Sequence, residues 1–397
     1  MKKLLILGGG FLQTYVIKKA RSLNYYVLCL DANPNAEGFK YAHEHAVINI
    51  VDQDACLKYA RAHNIDGVLT AATDYGVLSM SYIAEQLELP GINYTSAQII
   101  KNKAAVRKCL YEANADDTGY SHEISSVEEA INVSSTISYP VMVKPCDGSG
   151  SRGASRVDHS KDFVNACIYA MDGSITHRAV AEPFIEGDEY GVESFVEKGI
   201  VYVLAVMRKE MTAPPYYAEL GHMIPSGLPK EVEAKVKNCV RNAIIALGIN
   251  HGSVNMDLII GSQGDVHIVD IGARMGGNLI GSHIVRYGTG IDYMANMIKA
   301  SVNDETEWKP LWQPCAIATK LLALQPGRII GLPEFEKIKI EYGVEIEHHL
   351  NIGDTITPYR TNLDGCGYVI SHGYDINQVS DTANKVKNLI DQTIIRN

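Results

Sequence analysis

The first 92 residues alternate short apolar runs with helical patterns, and this alternation constrains the fold more than any other feature of the chain. The apolar runs predict four strands, at residues 4–7, 27–30, 47–50 and 67–69. The patterns between them predict three helices, at residues 14–23, 54–63 and 77–87. Repeated strand–helix units are typical of a parallel sheet covered by helices on both faces. Since Pro90-Gly91 is a turn pair that closes the unit, we expect a Rossmann-like domain over residues 1–92.

The rest of the chain predicts further mixed α/β structure, and 397 residues suffice for two or three domains. Residues 93–185 contain helical patterns, a strand and a loop of glycine and serine. Residues 186–305 contain several strands and one long helical pattern, whereas residues 306–397 are rich in strand patterns and end in a helix. We therefore expect three further segments with these boundaries.

Composition and charge exclude several classes of protein. Apolar residues make up 46% and charged residues 21% of the chain, as in ordinary globular domains. The 36 lysines and arginines against 46 aspartates and glutamates give a net charge of −10, which disfavours binding to nucleic acid. No apolar run reaches the ~18 residues of a membrane-spanning helix. The eight cysteines form no C-x-x-C pair, so we expect a cytoplasmic protein with reduced thiols and no membrane contact.

A glycine-rich turn follows the first predicted strand, at Gly8-Gly9-Gly10. Such a turn can cradle phosphate at the start of a helix. The dinucleotide fingerprint G-x-G-x-x-G has its first two glycines here, and Asp31 lies where a ribose-binding acid would, but Gln13 stands at the third glycine position. A nicotinamide-dependent oxidoreductase is therefore one alternative. A structural turn that binds no dinucleotide is the interpretation that Gln13 favours.

A second glycine-rich loop, Asp147 to Gly153, follows Lys144 at the end of a predicted strand. Glycines let a backbone approach a ligand closely, so this loop could fold over a polyphosphate whose charge Lys144 neutralises. The loop is not a Walker A motif, because Ala154 follows Gly153 where that motif has lysine. An ordinary surface hairpin with an exposed lysine is the alternative.

Two aspartates lie on a predicted antiparallel hairpin that turns at Gly261 to Gly264. A register in which paired residue numbers sum to about 527 places Asp257 opposite Asp270, with Cβ atoms ~5 Å apart. Carboxylates this close repel each other unless a cation lies between them, and their hard oxygens suit Mg²⁺. Arg274 follows, ready for bidentate contact with phosphate or carboxylate. A solvated hairpin end is the alternative that the apolar neighbours disfavour.

Together these residues resemble the ATP-grasp superfamily, in particular L-amino acid and dipeptide ligases and the ATP-binding domains of biotin carboxylase and carbamoyl phosphate synthetase. The resemblance rests on the order of the motifs: Lys103, Lys144 with its glycine loop, residues 182–189, Asp257, Asp270 and Arg274. It implies an α/β chain with four parts: a Rossmann-like pre-ATP-grasp domain (1–92), a small ATP-grasp lobe (93–185), a large lobe with the metal and substrate sites (186–305), and a small C-terminal α+β domain (306–397).

The resemblance also implies roles for single residues. The residues that would contact ATP are Lys103 and Lys144 at the phosphates, Ser149 and Gly150 in the glycine loop, Glu182, Phe184 and Ile185 around the adenine, and Glu189 at the ribose. Asp257 and Asp270 would bind Mg²⁺, or Mn²⁺ in its place, while Arg274 and Lys144 would act on the transferring phosphate. Two residues depart from the usual pattern, since Asp270 stands where glutamate is usual and Gly272 where asparagine is usual.

The segment Met211 to Ser226 resembles the substrate loop of amino-acid and dipeptide ligases. The residues it would bring to the substrate, with those after the hairpin, are Tyr217, Glu219, His222, Arg274, Gly276 and Gly277. An aromatic wall and an acid suit an amino-acid-like substrate, and His222 could accept a proton from an attacking amine. A proline-anchored loop that packs on the core is the alternative. Five other histidines show no metal-ligand spacing and are interpreted as structural: His251, His267, His283, His348 and His349.

The activity implied by the resemblance is ATP-dependent ligation. A carboxylate attacks the γ-phosphorus of ATP to give an acyl phosphate and ADP, and an amine (or a thiol) then displaces phosphate. The partners would be small-molecule carboxylates and amines, and a homodimer is compatible with the pattern. Three alternatives stay open: the nicotinamide-dependent oxidoreductase, a phosphotransferase that stops at a phosphorylated product, and a nucleotide-binding protein without turnover.

Overall fold

The N-terminal domain is a parallel sheet between helices, as the strand–helix alternation predicts. The computed structural model describes residues 1–148, 153–214 and 216–397. The elements of this domain are β1 (Lys3–Leu7), α1 (Gln13–Ser22), β2 (Tyr26–Asp31), β3 (Glu44–Val47), α2 (Gln53–His63), β4 (Gly67–Thr70) and α3 (Val77–Gln86). The strand order is β3-β2-β1-β4, and every pair is parallel. Strand β3 begins and ends earlier than the predicted 47–50, because it is a short edge strand with polar residues such as Glu44.

Two helices connect this domain to a small lobe with an antiparallel sheet. The helices are α4 (Tyr94–Ile100) and α5 (Lys103–Glu112). The lobe contains β5 (His122–Ile124), α6 (Val127–Ser134), β6 (Val141–Pro145), β7 (Ser155–Val157), α7 (Ser160–Asp172) and β8 (Ala179–Pro183). Its strand order is β5-β8-β6-β7. Side chains of α4 and α5, such as Ala97 and Leu110, belong to the core of the large lobe. Ile100, at the end of α4, and Lys103, at the start of α5, line the cleft described below.

The large lobe is built on a long antiparallel sheet. Its elements are β9 (Asp188–Glu197), β10 (Ile200–Met211), β11 (Glu219–Ile224), α8 (Lys230–Ala246), β12 (Gly252–Ile260), β13 (Val266–Gly272), a π-helix (Ile280–Ile284), α9 (Val285–Thr289) and α10 (Tyr293–Ser301). Strand β11 lies inside the segment that the sequence suggests to be one loop. It pairs with β10 through Lys209 and His222, so the residues of that segment are held on a sheet.

The C-terminal segment extends the sheet of the large lobe. Its elements are β14 (Ala316–Leu321), β15 (Gly327–Gly331), α11 (Phe335–Tyr342), β16 (Glu345–His348), β17 (Thr355–Ile356), β18 (Gly367–Gly373), α12 (Ile376–Thr393) and β19 (Ile395–Arg396). The shared sheet has the order β13-β12-β9-β10-β11-β14-β18-β16, while β17-β15-β19 form a small sheet of their own. The expected boundary at residue 306 is therefore crossed by the pairing of β11 with β14.

The mixed α/β class and the parallel N-terminal sheet are confirmed. One continuous apolar core joins the N-terminal domain to the large lobe, since it includes Ile17 of α1 together with Met275 and Tyr293. The site described below lies where the three bodies meet. None of the helices in the described ranges combines the length and apolarity needed to cross a membrane.

Candidate active site

The centre of the site is the hairpin of β12 and β13. Asp257 pairs with Asp270 across it, which confirms the predicted register, and a bulge follows directly at Leu258. The two side chains remain accessible from the cleft, with 31% of Asp257 and 48% of Asp270 exposed. Two rigid strands thus present two carboxylates to one space.

Each of these carboxylates already has a lysine partner. Lys103, at the start of α5, forms an ion pair with Asp270. Burial lowers the pKa of Lys103, but the nearby carboxylates, chiefly Asp270, together outweigh it and the net pKa is raised. Conversely, burial raises the pKa of Asp270, but the nearby cations, chiefly Lys103, together bring the pKa below its usual value. Both groups are therefore charged at neutral pH. Asp257 is paired instead with Lys209 of β10, whose Nζ atom lies 3.1 Å from Oδ1.

Lys209 is a site residue that the sequence interpretation misses. Only 2% of its side chain is exposed, and its Nζ atom also lies 2.7 Å from Glu219 and 3.4 Å from Glu189. Burial lowers its pKa, but the three carboxylates together raise it well above the usual value. For Asp257, burial dominates and the carboxylates of Glu219 and Glu189 add to it, so its pKa is raised to about 6 despite Lys209.

In the small lobe, Lys144 contacts a buried carboxylate. Its ammonium forms an ion pair with Glu182 of β8, which also accepts a hydrogen bond of 2.6 Å from Nε of Arg107. Burial raises the pKa of Glu182, but Arg107 and Lys144 together lower it by more than burial raises it, so the net pKa is below its usual value. Arg107, on α5, is absent from the sequence prediction and also donates to the carbonyl of Val269 at 3.1 Å. It ties the small lobe to the hairpin of β12 and β13.

Phe184 and Ile185, also expected around the nucleotide, directly follow β8 of the small lobe. The backbone N–H of Phe184 donates to the carbonyl of Pro140 at 3.0 Å, and the guanidinium of Arg156 lies 4.1 Å from the centre of the Phe184 ring. Ile185 is half-buried beside it. Ser149 and Gly150 lie outside the described residues, so their expected role in the glycine loop stays a prediction.

Arg274 is fixed from two sides. Its Nε atom lies 3.0 Å from Oδ1 of Asp74, and Nη2 donates to Oδ2 at 3.1 Å. Nη1 donates to Asn255 at 3.4 Å. Gly272 makes room for this arrangement, because a Cβ atom there would lie 3.0 Å from Cζ of Arg274. The absence of the usual asparagine is therefore linked to the placement of the arginine.

The loop after Arg274 lies against the N-terminal domain. The backbone N–H of Ala72 donates to the carbonyl of Met275 at 3.0 Å, and Gly277 faces Leu12 and Ala72. The N–H of Gly276 donates to Glu193 at 3.2 Å, so that loop and sheet are joined by a buried carboxylate. Burial raises the pKa of Glu193 to about 7.

The predicted substrate residues fall into two groups. Glu219 and His222 lie on β11, next to Lys209, whereas Tyr217 is half-buried in the preceding connection with φ of +49°. Burial raises the pKa of Glu219, but Lys209 and His222 lower it to about 2, so this carboxylate is ionised. It also accepts hydrogen bonds from Asn278 and from Asn362, the latter at 3.1 Å. Burial lowers the pKa of His222 to about 4, which makes its imidazole a weak base at neutral pH.

The donor set fits a hard divalent cation bound with phosphate oxygens. Two aspartates face the same cleft, although nowhere in the described ranges, this cleft included, is a group of three or more His, Cys, Asp and Glu side chains arranged to hold a metal by itself. Mg²⁺ commonly takes one or two carboxylates and completes its shell with phosphates and water. Asp257 and Asp270 would hold it here.

The five histidines that the sequence analysis interprets as structural lie in packing or hydrogen-bonding positions. His267 pairs with Asp265, and His283 bonds to Ser282 at 2.8 Å. The others contact aromatic rings: His251 at Phe195, His348 at Phe335 and His349 at Phe11. These contacts agree with the structural interpretation.

The glycine-rich turn of the N-terminal domain is closed by its own bonds. Asp31 accepts hydrogen bonds from the N–H of Gly9 at 2.7 Å and of Asn33 at 2.8 Å. The side chain of Gln13 donates to the carbonyl of Ala71 at 2.6 Å. Because Asp31 is engaged within the turn, the geometry favours a structural turn over a ribose-binding one.

Comparison with known proteins identifies the class. Residues 137–282 match the model of the ATP-grasp domain. The fold is shared with an L-amino acid ligase from Bacillus licheniformis (TM-score 0.84, 22% identity, 98% of this chain and 97% of that one). It is also shared with a phosphoribosylglycinamide synthetase from Anaerococcus prevotii (TM-score 0.81, 22% identity, all of both chains). Residues 137–282 therefore contain an ATP-grasp domain, as the motifs predict.

A sequence relative has a named activity. A formate-dependent phosphoribosylglycinamide formyltransferase from Burkholderia pseudomallei is 26% identical over 246 residues, which are 60% of this chain and 60% of that protein. The chain therefore aligns with about three-fifths of the length of this relative. The substrate that each of these names mentions is a substrate of the protein so named.

Proposed function

We propose that the protein is an ATP-dependent ligase that activates a carboxylate as an acyl phosphate and transfers the acyl group to an amine, with release of ADP and phosphate. One observation carries this proposal: Lys103, Arg274, Asp257 and Asp270 line a single cleft. Two carboxylates for a metal and two fixed cations are the groups that phosphoryl transfer requires, since its catalysis is mainly positioning and charge neutralisation.

The residues divide this work by position. Lys103, which lines the cleft, and Lys144 would bind phosphate oxygens, and each is held by one carboxylate, Lys103 by Asp270 and Lys144 by Glu182. Arg274 would hold the transferring phosphoryl group and the substrate carboxylate, because its guanidinium is fixed by Asp74 and Asn255. A magnesium ion bound by Asp257 and Asp270, with Mn²⁺ accepted in its place, would neutralise the charge that develops on the phosphates.

A covalent enzyme intermediate is disfavoured by the one thiol in the cleft. Cys146 lines it, but burial raises the pKa of this thiol to about 12. A protonated thiol is a poor nucleophile. The substrate carboxylate is therefore the attacking group, and its acyl phosphate is the species that the amine meets.

We propose an amino-acid-like carboxylate as the activated substrate. Glu219 is ionised and lies on the same sheet as the metal acids, where an ammonium group would be attracted to it. Tyr217 precedes it and could supply an apolar wall. The fold likeness to an L-amino acid ligase supports this choice.

The test is a screen of ADP release over carboxylates, with and without amines. We expect ADP and phosphate release that depends on an amino-acid-like carboxylate, and hydroxylamine should trap the acyl phosphate as a hydroxamate. Glu219→Gln should raise the KM for the carboxylate more than the KM for ATP, whereas the matched variant Glu210→Gln, on the neighbouring strand, should change neither. ADP release without any carboxylate would instead indicate an ATPase or phosphotransferase, and binding of NADH without ATP would indicate the oxidoreductase.

A further inference from the structure

The ammonium of Lys209 lies at the centre of three carboxylates with three different proposed roles. Glu189 is the expected ribose acid, Asp257 the expected metal acid and Glu219 the expected substrate acid, and their oxygens lie 3.4, 3.1 and 2.7 Å from Nζ. The other lysine that is buried in the described part of the chain, Lys320, forms an ion pair with Glu210. A single side chain therefore connects the three parts of the proposed site.

Lys209 reaches these acids because the strand beside it leaves space. Strand β9 lies between β10, which carries Lys209, and β12, which carries Asp257. Gly191 is the residue of β9 that pairs with Asp257, and a Cβ atom there would lie 3.9 Å from Cδ of Lys209. The lysine thus passes over a position without a side chain and meets a carboxylate two strands away.

The charges of this group do not balance without a further cation. One ammonium faces three carboxylates, and only 2% of the Lys209 side chain is exposed to water. Asp257 is also the acid that faces the cleft where a divalent ion would bind with Asp270. Lys209 and the metal would therefore share Asp257.

We propose that Lys209 is a positioning residue that stands in for the metal: its ammonium holds Asp257 in the absence of Mg²⁺–ATP, and it keeps Glu189 and Glu219 oriented for nucleotide and substrate. This inference rests on the proposed function for the roles of the three acids. It assigns to Lys209 an exchange of partners that an ordinary salt bridge would not undergo. Its consequence is that, in a variant without Lys209, a divalent cation can take the place of the lost ammonium.

The experiment measures thermal unfolding without nucleotide, in MgCl₂ and in NaCl of equal ionic strength. Lys209→Met should lower the Tm by about 5 °C or more, because it leaves carboxylates buried without their cation. MgCl₂ should restore at least half of that loss. The matched control Lys320→Met also removes a buried lysine, and MgCl₂ should restore none of its loss. A Tm gain in MgCl₂ that is equal in Lys209→Met, Lys320→Met and the wild type would overturn the proposal.

A second variant keeps the test decisive if Lys209→Met does not fold. In the double variant Lys209→Met/Glu219→Gln one acid is neutralised, so this variant should fold with a measurable Tm even if Lys209→Met does not, and MgCl₂ should raise that Tm more than it raises the Tm of the wild type. A double variant no more stable than the single one contradicts the charge argument.

Calorimetry with MgATP separates this inference from the proposed function. The wild type should bind MgATP, and Lys209→Met should bind it roughly tenfold more weakly because Glu189 loses its anchor. A wild type that binds no MgATP would refute the proposed function, while the cation rescue would still report on Lys209. Equal affinity in wild type and Lys209→Met would refute the positioning role alone.

Discussion

The carboxylate of Asp74 holds the guanidinium of Arg274 with both oxygens, at 3.0 and 3.1 Å. Asp74 follows β4 of the N-terminal domain, and Arg274 follows β13 of the large lobe. The ion pair therefore joins the N-terminal domain to the candidate active site. Burial lowers the pKa of Arg274, but the carboxylates around it, Asp74 first among them, together raise the net pKa.

Asp74→Asn should lower kcat about tenfold while the affinity for ATP changes less than about twofold, because a small displacement of a positioned group costs rate rather than nucleotide binding. Steady-state kinetics and ATP calorimetry measure the two effects. Asp304→Asn is the control, since Asp304 also joins two segments through Lys2 but lies away from the cleft. Equal losses in both variants would show that Asp74 only stabilises the fold.

Gly272→Ala should weaken catalysis by moving Arg274. The added Cβ atom would lie 3.0 Å from Cζ and 3.2 Å from both Nη atoms of Arg274, so the guanidinium must shift by a few tenths of an ångström. We expect kcat to fall about tenfold, as for Asp74→Asn, and the double variant to fall little further. The positive-φ Gly199, which has open space around it, gives the control Gly199→Asn. Full additivity of the two active-site changes would contradict a common effect on Arg274.

The hairpin of β12 and β13, which carries Asp257 and Asp270, is the part of the candidate site that could be predicted from the sequence. Apolar residues flank both Asp257 and Asp270, so an alternating pattern fixes the register of two adjacent strands, and neighbours in sequence become neighbours in space. The same reasoning predicts the parallel N-terminal sheet. The same reasoning does not predict strand β11, because two prolines precede this strand and because half of its pairing is with β14, which is distant in sequence.

The cations that organise the site could not be predicted in this way. Lys209 stands between Arg208 and Glu210, a run of charges that indicates a solvated strand end, and its burial depends on three strands coming together. Arg107 lies in an ordinary amphipathic helical pattern, and its partner Glu182 belongs to another lobe. Asp74 lies in a connection after β4. Their roles follow from tertiary pairing, which leaves no local signal.

Asp257→Asn and Asp270→Asn should each abolish turnover but change the stability of the nucleotide-free protein in opposite directions. Repulsion between the two acids alone predicts that both substitutions stabilise. The structure revises this, because each acid has its own lysine. Lys103 lowers the pKa of Asp270 against the effect of burial, so losing that carboxylate should destabilise the protein at pH 8.

For Asp257→Asn we expect the opposite effect on the free energy of unfolding. Its folded-state pKa of about 6 is above the usual value, so the stability it contributes in acid is lost as the pH rises from about 4 to 6. Above pH 6 the ionised side chain is unfavourable, and Asp257→Asn should stabilise the protein by on the order of 1 to 2 kcal/mol at pH 8. Urea unfolding at pH 8 and pH 5 measures both variants. Destabilisation by Asp257→Asn at pH 8 would show that its bond to Lys209 outweighs its burial.

The buried His222 should make the protein sensitive to mild acid. Burial lowers the pKa of its imidazole to about 4, with Glu219 opposing and Lys209 reinforcing that shift. A histidine with a lowered folded-state pKa contributes stability above its unfolded pKa of ~6.5 and loses it as the pH falls toward the folded value. Between pH 7 and pH 5 the wild type should therefore lose about 2 kcal/mol more than His222→Gln, which cannot take up the proton.

Urea unfolding across that pH range measures the difference, with His159→Gln as a control at an exposed imidazole. The control should follow the wild-type pH profile of stability, and the profile of His222→Gln should be flatter.

The lowered pKa of His222 also bears on catalysis. An imidazole with such a low pKa is hardly protonated at pH 7 and is a weak base. We therefore expect no step near pH 6.5 in the pH profile of kcat that is present in the wild type and absent in His222→Gln. If such a step is found, substrate binding must raise the pKa of His222, and the histidine would then be the base that accepts the proton of the amine.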